Sequence, residues 1–251
     1  MTGHVAVVGL GPGDVAQQTP QAAAALAAAT DLVGYAPYLA RVPEVAAQVR
    51  HASDNREELD RARLALSLAA EGRRVAVVSS GDAGVFAMAS AVFEAIEHGE
   101  PDWRALDIEV VPGISAMFAA AARIGAPFGH DFCAISLSDN LKPWDTVVRR
   151  LTAAASAGFV IALYNPRSHA RPWQLGAVFD LMRVRLPGST AVVFATSVGQ
   201  PSERIDITTL AQADPERADM RTLVIIGTAA TRLIERPDGG AWLYSPRGAA
   251  A

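Results

Sequence analysis

The sequence contains little cysteine, lysine or aromatic side chain. Cys133 is its single cysteine, Lys142 is the one lysine among 22 basic residues, and aromatic residues make up 6% of the 251 positions. A single cysteine excludes an intrachain disulfide and a cysteine metal cluster. Since Cys133 falls in a predicted strand, we interpret it as a buried structural thiol and not as a nucleophile. The five histidines are scattered along the chain, so we predict no metal site.

The sequence also lacks a surplus of positive charge and any long apolar run. The formal net charge is −4, which argues against a general nucleic-acid-binding protein. The longest apolar runs, 22–29 and 116–122, are too short to span a bilayer. No basic segment followed by an apolar segment begins the chain, so we expect no signal peptide. We therefore predict a cytoplasmic protein with no membrane partner.

Short β-branched runs alternate with longer helical patterns, which predicts the α/β class. Thr19 and Pro20 are typical of a helix start, and Asp54 and Glu57 have the spacing of a capping box. The predicted strands are 4–8, 32–35, 73–79, 108–111, 132–137, 159–163, 191–195, 204–207 and 223–226. The predicted helices are 20–29, 59–70, 84–98, 114–124, 143–157 and 172–184.

A glycine- and proline-containing stretch, 125–129, is the best hinge in the sequence. It predicts an N-terminal α/β domain over 1–124 and a C-terminal α/β domain over 125–251. The last predicted strands are separated by little sequence, so we expect the second domain to have a mixed sheet.

Three glycine turns follow three predicted strands. The first, Gly9-Leu-Gly-Pro-Gly-Asp14, is a poor dinucleotide fingerprint because Asp14 replaces the third glycine and would repel a pyrophosphate. The second turn, 79–86, lacks the lysine of a phosphate loop. Its Asp82 suits a cationic ligand or a ribose hydroxyl, or it caps the turn. The third, 111–116, carries Ser115, which can cap the next helix. Strand ends are where open α/β sheets bind ligands.

Polar residues also surround two strands of the second domain. His130 and Asp131 precede the strand 132–137, and a polar segment follows it: Ser138, Asp139, Asn140 and Lys142. After the next strand come Tyr164, Asn165, Arg167, His169 and Arg171. These are either scattered surface groups or a ligand wall, and their density favours the ligand wall.

The segments 129–139, Gly-His-Asp-Phe-Cys-Ala-Ile-Ser-Leu-Ser-Asp, and 162–166, Ala-Leu-Tyr-Asn-Pro, resemble the precorrin-3B C17-methyltransferases. These enzymes are the cobalamin-biosynthesis branch of the tetrapyrrole methylases. The three glycine turns and the segments 33–39, 195–203 and 221–228 are similar to the same family in the same order. The resemblance implies two α/β domains with the active site in the interdomain cleft, and a homodimer.

The implied reaction is methyl transfer from S-adenosylmethionine to C17 of precorrin-3B, with ring contraction to precorrin-4. The implied donor contacts are Pro12, Ser80, Gly81, Asp82, Val85, Ser115, Ala116, Tyr164, Asn165, Ala195 and Thr222. Ring contraction would use a general acid or base, for which the candidates are Asp82, His130, Asp131, Asp139 and Lys142. Substrate carboxylates would pair with arginines such as Arg167 and Arg171.

Three alternatives stay open at this point. The substrate could be cobalt-factor III in place of metal-free precorrin-3B, since a metal inside the macrocycle needs no protein ligand. The same scaffold also serves RNA 2′-O and diphthine-type methyltransferases, although the acidic composition disfavours an RNA substrate. A non-catalytic ligand-binding module is the third alternative. The three glycine turns give it no support, and equilibrium binding of S-adenosylmethionine would separate it from the methyltransferase alternatives.

Overall fold

A computed structural model describes residues 3–54 and 57–248 of the chain. The chain divides into two compact units, Met1–Ala116 and Met117–Ala251. The division differs from the boundary drawn from the sequence, because the helix that follows the third glycine turn belongs to the second unit. Met117, Ala120 and Ile124 of that helix share a buried core with strands of the second unit. The predicted hinge, 125–129, therefore lies inside the second unit.

The first unit is a parallel sheet with helices on both faces. Its strands have the order β3-β2-β4-β1-β5, and every recorded pair is parallel. The elements in chain order are β1 (His4–Gly9), α1 (Pro20–Ala28), β2 (Asp31–Tyr35), α2 (Ala36–Leu39), β3 (Val49–Ser53), α3 (Glu58–Ala70), β4 (Arg74–Ser79), α4 (Met88–His98) and β5 (Asp107–Val111).

Alternation along the central strands divides the core of the first unit into two layers. Val5 and Val7 of β1 pack into the layer that contains α3 and α4. Ala6 and Val8 of the same strand pack into the layer that contains α1. Strands buried on both faces are near-continuous apolar runs, and β1 and β4 have this character.

The carboxyl ends of β1 and β4 form a topological switch point. The two strands are neighbours, yet the chain leaves β1 toward α1 on one face and leaves β4 toward α4 on the other. Connections that diverge in this way open a crevice at the strand ends, which is the usual ligand position in open α/β sheets. The first two glycine turns lie at this switch point.

The second unit contains a mixed sheet, as the sequence predicts. Its order is β10-β9-β11-β8-β7; β7 is parallel to β8, and the other pairs are antiparallel. The elements are α5 (Ala116–Ile124), β6 (Gly125–Ala126), β7 (Phe132–Ser136), α6 (Trp144–Ser156), β8 (Val160–Tyr164), α7 (Gln174–Arg183), β9 (Ala191–Thr196), β10 (Arg204–Thr209), β11 (Thr222–Ile226), β12 (Arg232–Glu235) and β13 (Ala241–Tyr244).

The nine predicted strands and five of the six predicted helices match the structure to within a few residues at each end. Helix α1 begins at Pro20 after Thr19, whose hydroxyl accepts from the Ala22 N–H. The sequence did not predict α2, β3 or the small sheet β12-β13-β6. Strand β3 lacks the apolar β-branched run by which the other strands were predicted, because it is an edge strand whose residues are half-buried or exposed. Within 3–54 and 57–248, no helix combines the length and the apolar character that a membrane span requires.

Candidate functional site

The three glycine turns of the first unit meet through their backbones. Gly11 and Gly81 form an isolated antiparallel bridge, in which each N–H donates to the other's carbonyl at 3.0 and 2.9 Å. Gly113 of the third turn lies so close that an added Cβ would be 2.7 Å from the Gly9 carbonyl oxygen and would also collide with that of Gly81. The convergence expected from three neighbouring strand ends is present.

Gly81 differs from the other glycines of this cluster. Its φ is +68°, a left-handed backbone that favours glycine. A Cβ built on it would find its nearest neighbour, the Ala116 backbone nitrogen, at 3.7 Å. The protein therefore leaves room for a ligand atom beside Gly81, at the place where Ser115 and Ala116 of the third turn also lie. We call this space beside Gly81, Ser115 and Ala116 the cradle. It fits the adenosyl methyl donor that the resemblance implies.

Asp82 links the second turn to the third. Its Oδ1 accepts from the Gly84 N–H at 2.8 Å, and its Oδ2 accepts from the Gly113 N–H at 3.0 Å. The turn-capping function that the sequence left open is thus present. Because both carboxylate oxygens already accept backbone hydrogen bonds, Asp82 is better suited to shaping the turns than to moving a proton.

The second turn is longer than the sequence indicated. Helix α4 begins at Met88, so the predicted start at Gly84 is wrong. The Met88 N–H donates to the buried Ser79 hydroxyl at 3.2 Å, and Phe86 has a positive φ of 52°. Capping by Asp82 and the left-handed Phe86 hold 82–87 out of the helix, which keeps Val85 half-buried in the turn.

The first turn is not a phosphate loop. Gly11 has a φ of +74°, and Pro12 beside it is buried. Asp14 caps a three-residue 3₁₀ helix, Val15–Gln17, by accepting from the Ala16 N–H at 2.8 Å. A pyrophosphate site would need a long helix N-terminus with free amides, so the structure agrees with the weak dinucleotide fingerprint.

In the second unit, four strand ends place polar groups along one edge of the mixed sheet. Ser136 is paired with Tyr164 across β7 and β8, and Thr196 is paired with Thr222 across β9 and β11. The Thr196 and Thr222 hydroxyls are 2.9 Å apart. The antiparallel direction of β11 brings its first residue to the edge where β7, β8 and β9 end. Predicted donor contacts Tyr164 and Thr222 lie here, and Ala195 is buried next to Thr196.

Asn165 and Ser136 are hydrogen-bonded to each other on the β7–β8 side of this edge. Asn165 has a left-handed φ of 51°, and its Nδ2 donates to the Ser136 Oγ at 3.0 Å. The Tyr164 hydroxyl accepts from the Met117 N–H at 3.2 Å. Sequence reasoning identified Tyr164 and Asn165 but missed Ser136, because it treated the serine as part of the apolar strand interior.

Asp139 is held by a residue that sequence reasoning missed. The Gln174 Nε2 donates to the Asp139 Oδ2 at 3.1 Å. Gln174 is only 1% exposed, and its Oε1 has no hydrogen-bond partner among the described residues. A glutamine at the start of α7 is an ordinary sequence feature, so only its burial marks it. A buried amide that orients a carboxylate gives Asp139 a defined geometry.

Lys142 lies a few residues beyond Asp139. The pKa of the Lys142 ammonium is lowered from its ordinary value. Partial burial is the larger cause, and the nearby positive charge of Arg150 is the smaller. The segment is anchored at its end by Trp144, whose ring contacts that of Trp173 edge-on with centroids 4.9 Å apart. This contact connects the first turn of α6 with the residue before α7.

The structure separates His130 and Asp131 from Asp139 and Lys142. His130 precedes β7, whereas Asp139 follows it, so a strand of five residues lies between them. At ~3.3 Å per residue these groups are at opposite ends of the strand. The His130 Nδ1 instead accepts from the adjacent Asp131 N–H at 2.7 Å. His130 and Asp131 therefore do not lie at the same end of β7 as Asp139 and Lys142, and their acid-base role stays a prediction.

Of the two predicted carboxylate-binding arginines, Arg167 is already paired. Its Nη2 lies 2.6 Å from Glu216 Oε1. Arg171 donates from Nη1 to the Asn165 carbonyl at 3.3 Å, which leaves its positive charge next to the polar edge. Arg171 is therefore the better candidate for a substrate carboxylate.

Cys133 is half-buried, and burial raises the pKa of its thiol. A raised pKa means little thiolate at neutral pH, which agrees with a structural role. Over the described ranges, 3–54 and 57–248, no group of three or more His, Cys, Asp or Glu has an arrangement that could hold a metal ion.

The fold and these residues define an α/β protein with a glycine-lined crevice at a topological switch point and without a phosphate loop. Comparison with known proteins identifies the family to which the chain belongs. The family model of the tetrapyrrole (corrin/porphyrin) methylases matches residues 4–214. The chain belongs to this family.

Individual relatives match nearly the whole chain. It is 58% identical to a precorrin-3B C(17)-methyltransferase of a Sinorhizobium species, over 98% of this chain and 97% of the relative. It is 39% identical to a probable cobalt-factor III C(17)-methyltransferase of Salmonella typhimurium, over 97% of this chain and 98% of that one. The crystal structure of the methyltransferase CobJ superimposes with a TM-score of 0.93 at 52% identity, covering 97% of this chain and 100% of CobJ.

Proposed function

We propose that this protein methylates C17 of precorrin-3B with S-adenosylmethionine and contracts the macrocycle to precorrin-4, a step of cobalamin biosynthesis. The observation that carries the proposal is the 58% identity to a precorrin-3B C(17)-methyltransferase over 98% of the chain. The free space beside Gly81 supports it, since a ligand can approach main-chain atoms closely there, and the tight packing of Gly9 and Gly113 holds the turns around it.

The glycine turns of the first unit bind the donor in this proposal. The donor, when bound, provides a methyl group on a positively charged sulfur. Gly81, Ser115 and Ala116 contact it, and Asp82 keeps their turns together through the Gly84 and Gly113 amides. Pro12, Ser80 and Val85 complete these turns. In the second unit Tyr164, Asn165, Ala195 and Thr222 stay predicted donor contacts.

The second unit supplies the acid-base group for ring contraction. Asp139 is the strongest choice because Gln174 orients its carboxylate, and Lys142 is the second because its lowered pKa eases proton release. Arg171 pairs with an acetate or propionate carboxylate of the macrocycle, for which a planar guanidinium is well suited. A positioned acid or base contributes about 10²–10⁴-fold to a rate.

A direct assay tests the proposed reaction. Incubation of the protein with S-adenosylmethionine and precorrin-3B should give a product one methyl group heavier, with an absorption spectrum changed by the interrupted conjugation. A parallel reaction with cobalt-factor III is the necessary comparison, because one relative carries that name at 39% identity. Preference for cobalt-factor III would reassign the substrate, and methylation of an RNA or protein acceptor alone would overturn the tetrapyrrole proposal.

The resemblance also implies a homodimer, and the sequence predicts a cytoplasmic location. Both stay predictions.

A further inference from the structure

Arg41 connects two of the three glycine turns of the first unit. It follows α2 and is half-buried. Its Nη2 donates to the Gly11 carbonyl at 2.8 Å and to the Leu10 carbonyl at 3.3 Å, both in the first turn. Its Nη1 donates to the Ser80 hydroxyl of the second turn at 3.0 Å. One guanidinium thus spans the switch point.

Among the described residues, the hydrogen-bond acceptors of Arg41 are a hydroxyl and two carbonyls and so are uncharged, which is an unusual environment for a partly buried cation. Burial lowers the pKa of its guanidinium, and the nearby Tyr38 partly offsets this effect. A guanidinium stays protonated under such conditions because its ordinary pKa lies far above neutral pH. Charge-assisted hydrogen bonds are shorter and stronger than neutral ones, so these contacts hold the turns firmly.

The chain segment between α2 and β3, which contains Arg41, is held in place by a different arginine, Arg50. Arg50 of β3 donates to the carbonyls of Leu39, Val42 and Pro43 at 2.8, 2.8 and 2.7 Å. Arg50 therefore fastens the chain between α2 and β3. The hydrogen bonds of the Arg41 side chain within the described residues instead leave this segment and end on the glycine turns.

We propose that Arg41 is a positioning residue for the methyl donor: it fixes the first glycine turn against the second, so that the cradle at Gly81 exists before the donor binds. The inference rests on the proposed function, since it assumes that these turns bind the donor. Gly11 is the common element, because its carbonyl accepts from both Arg41 and the Gly81 N–H. A shift of Gly11 would therefore be transmitted directly to Gly81.

The test compares Arg41→Met with Arg50→Met in the full-length protein. Arg50→Met removes three carbonyl contacts from the same region but touches neither turn, so it is the matched control. Titration calorimetry with S-adenosylhomocysteine should show at least tenfold weaker binding for Arg41→Met and a change of less than twofold for Arg50→Met. Thermal unfolding should show similar losses for both variants. In turnover, Arg41→Met should raise the KM for S-adenosylmethionine by a larger factor than it lowers kcat.

Two further variants separate the bridging of the two glycine turns by Arg41, which we call the clamp, from a general effect of its charge. Arg41→Lys keeps the charge, but one ammonium group cannot reproduce a planar fork that reaches Ser80 and Gly11 from separate nitrogens; we expect intermediate affinity. Ser80→Ala should weaken binding in the wild-type background but cause little additional loss in Arg41→Met, since the bond is already absent there.

The outcomes distinguish failure of this inference from failure of the proposed function. A wild-type protein that does not bind S-adenosylhomocysteine overturns the proposed donor site itself. Two results in a protein whose wild type does bind would overturn the clamp alone. One is equal S-adenosylhomocysteine affinity in Arg41→Met and Arg50→Met. The other is fully additive losses of affinity from Arg41→Met and Ser80→Ala. If Arg41→Met does not fold, Arg41→Lys decides, and wild-type affinity in that variant also overturns the clamp.

Discussion

Gly81 and Gly158 share a left-handed backbone but differ in what surrounds them. Their φ values are +68° and +77°. A Cβ on Gly158, which lies between α6 and β8, would meet nothing within 4 Å, whereas a Cβ on Gly81 would project next to the third glycine turn. The two positions therefore separate backbone strain from interference with a ligand.

We predict that Gly81→Ala and Gly158→Ala lose similar stability, about 1–2 kcal/mol each, because an L-residue is strained in this conformation. Only Gly81→Ala should weaken S-adenosylhomocysteine binding, by tenfold or more, since its methyl group occupies the cradle. Urea unfolding and calorimetry on both variants measure the two effects. Equal donor affinity in the two variants would remove Gly81 from the donor site.

Substitution of Asp139 or Lys142 should lower the turnover rate without weakening the binding of the methyl donor. We expect Asp139→Asn to lower kcat by about 10²-fold or more, because the amide cannot transfer the proton that the carboxyl group transfers. Lys142→Ala should also lower turnover, and neither should alter S-adenosylhomocysteine affinity by more than about twofold. Asp180→Asn is the control, since Asp180 forms an exposed pair with Arg183 on α7. Full activity in both test variants would move the acceptor site toward Tyr164 and Arg171.

At the scale of elements, a buried carboxylate joins three strands of the parallel sheet. Asp31 begins β2 and is 1% exposed. It accepts from Thr30 at 2.8 Å, from Arg73 just before β4 at 3.2 Å, and lies 2.8 Å from the Nε2 of His51 in β3. Burial alone would raise the pKa of Asp31, but these partners together hold it below its ordinary value of 3.8.

A lowered pKa in the folded state means that the ionised Asp31 stabilises the fold above the pKa of the unfolded chain. This contribution disappears as the pH falls through the folded value. We predict that Asp31→Asn costs about 1–3 kcal/mol at neutral pH and that its difference from wild type shrinks below about pH 4. Urea unfolding from pH 7 to pH 3 measures it. Asp60→Asn is the control, because Asp60 is in an exposed pair with Arg63. A difference that is constant with pH would contradict the assignment.

At the scale of the whole molecule, the chain consists of two units with separate cores. The first unit has two buried layers around a parallel sheet, and the second has two around a mixed sheet. In the second unit the hairpin of β12 and β13 exposes apolar side chains, with Ile234 and Trp242 paired across the strands and 47% and 50% exposed.

We predict that the protein is a homodimer in solution, as the resemblance implies. Stable homodimers commonly bury ~2,000 Å² or more in total, so light scattering at micromolar concentration should give about twice the mass of one chain. A dilution series to nanomolar concentration provides the control for weak self-association. The mass of a single chain throughout the series would contradict the prediction.

The sequence predicted most elements of the fold because their signals are local. Thr19 caps α1 at a distance of three residues, Gly99 ends α4, and the β-branched runs of β1 and β4 are continuous. The wrong start of α4 has the opposite cause. Asp82, which holds the turn open, accepts from Gly113 at a separation of 31 residues, and no local pattern contains that contact.

The sequence by itself determined the α/β class, the mixed second sheet, the glycine turns at strand ends, and a family resemblance strong enough to predict the reaction. Each depends on residue types and on spacings of a few positions. Only the tertiary structure decided that Asp82 and Arg41 tie turns together and that Gln174 orients Asp139. Arg41 and Ser80 are 39 residues apart in the chain, and Gln174 and Asp139 are 35 apart. Contacts over such separations exist only after the strands have been ordered in a sheet, because strand order brings distant loops to a common edge.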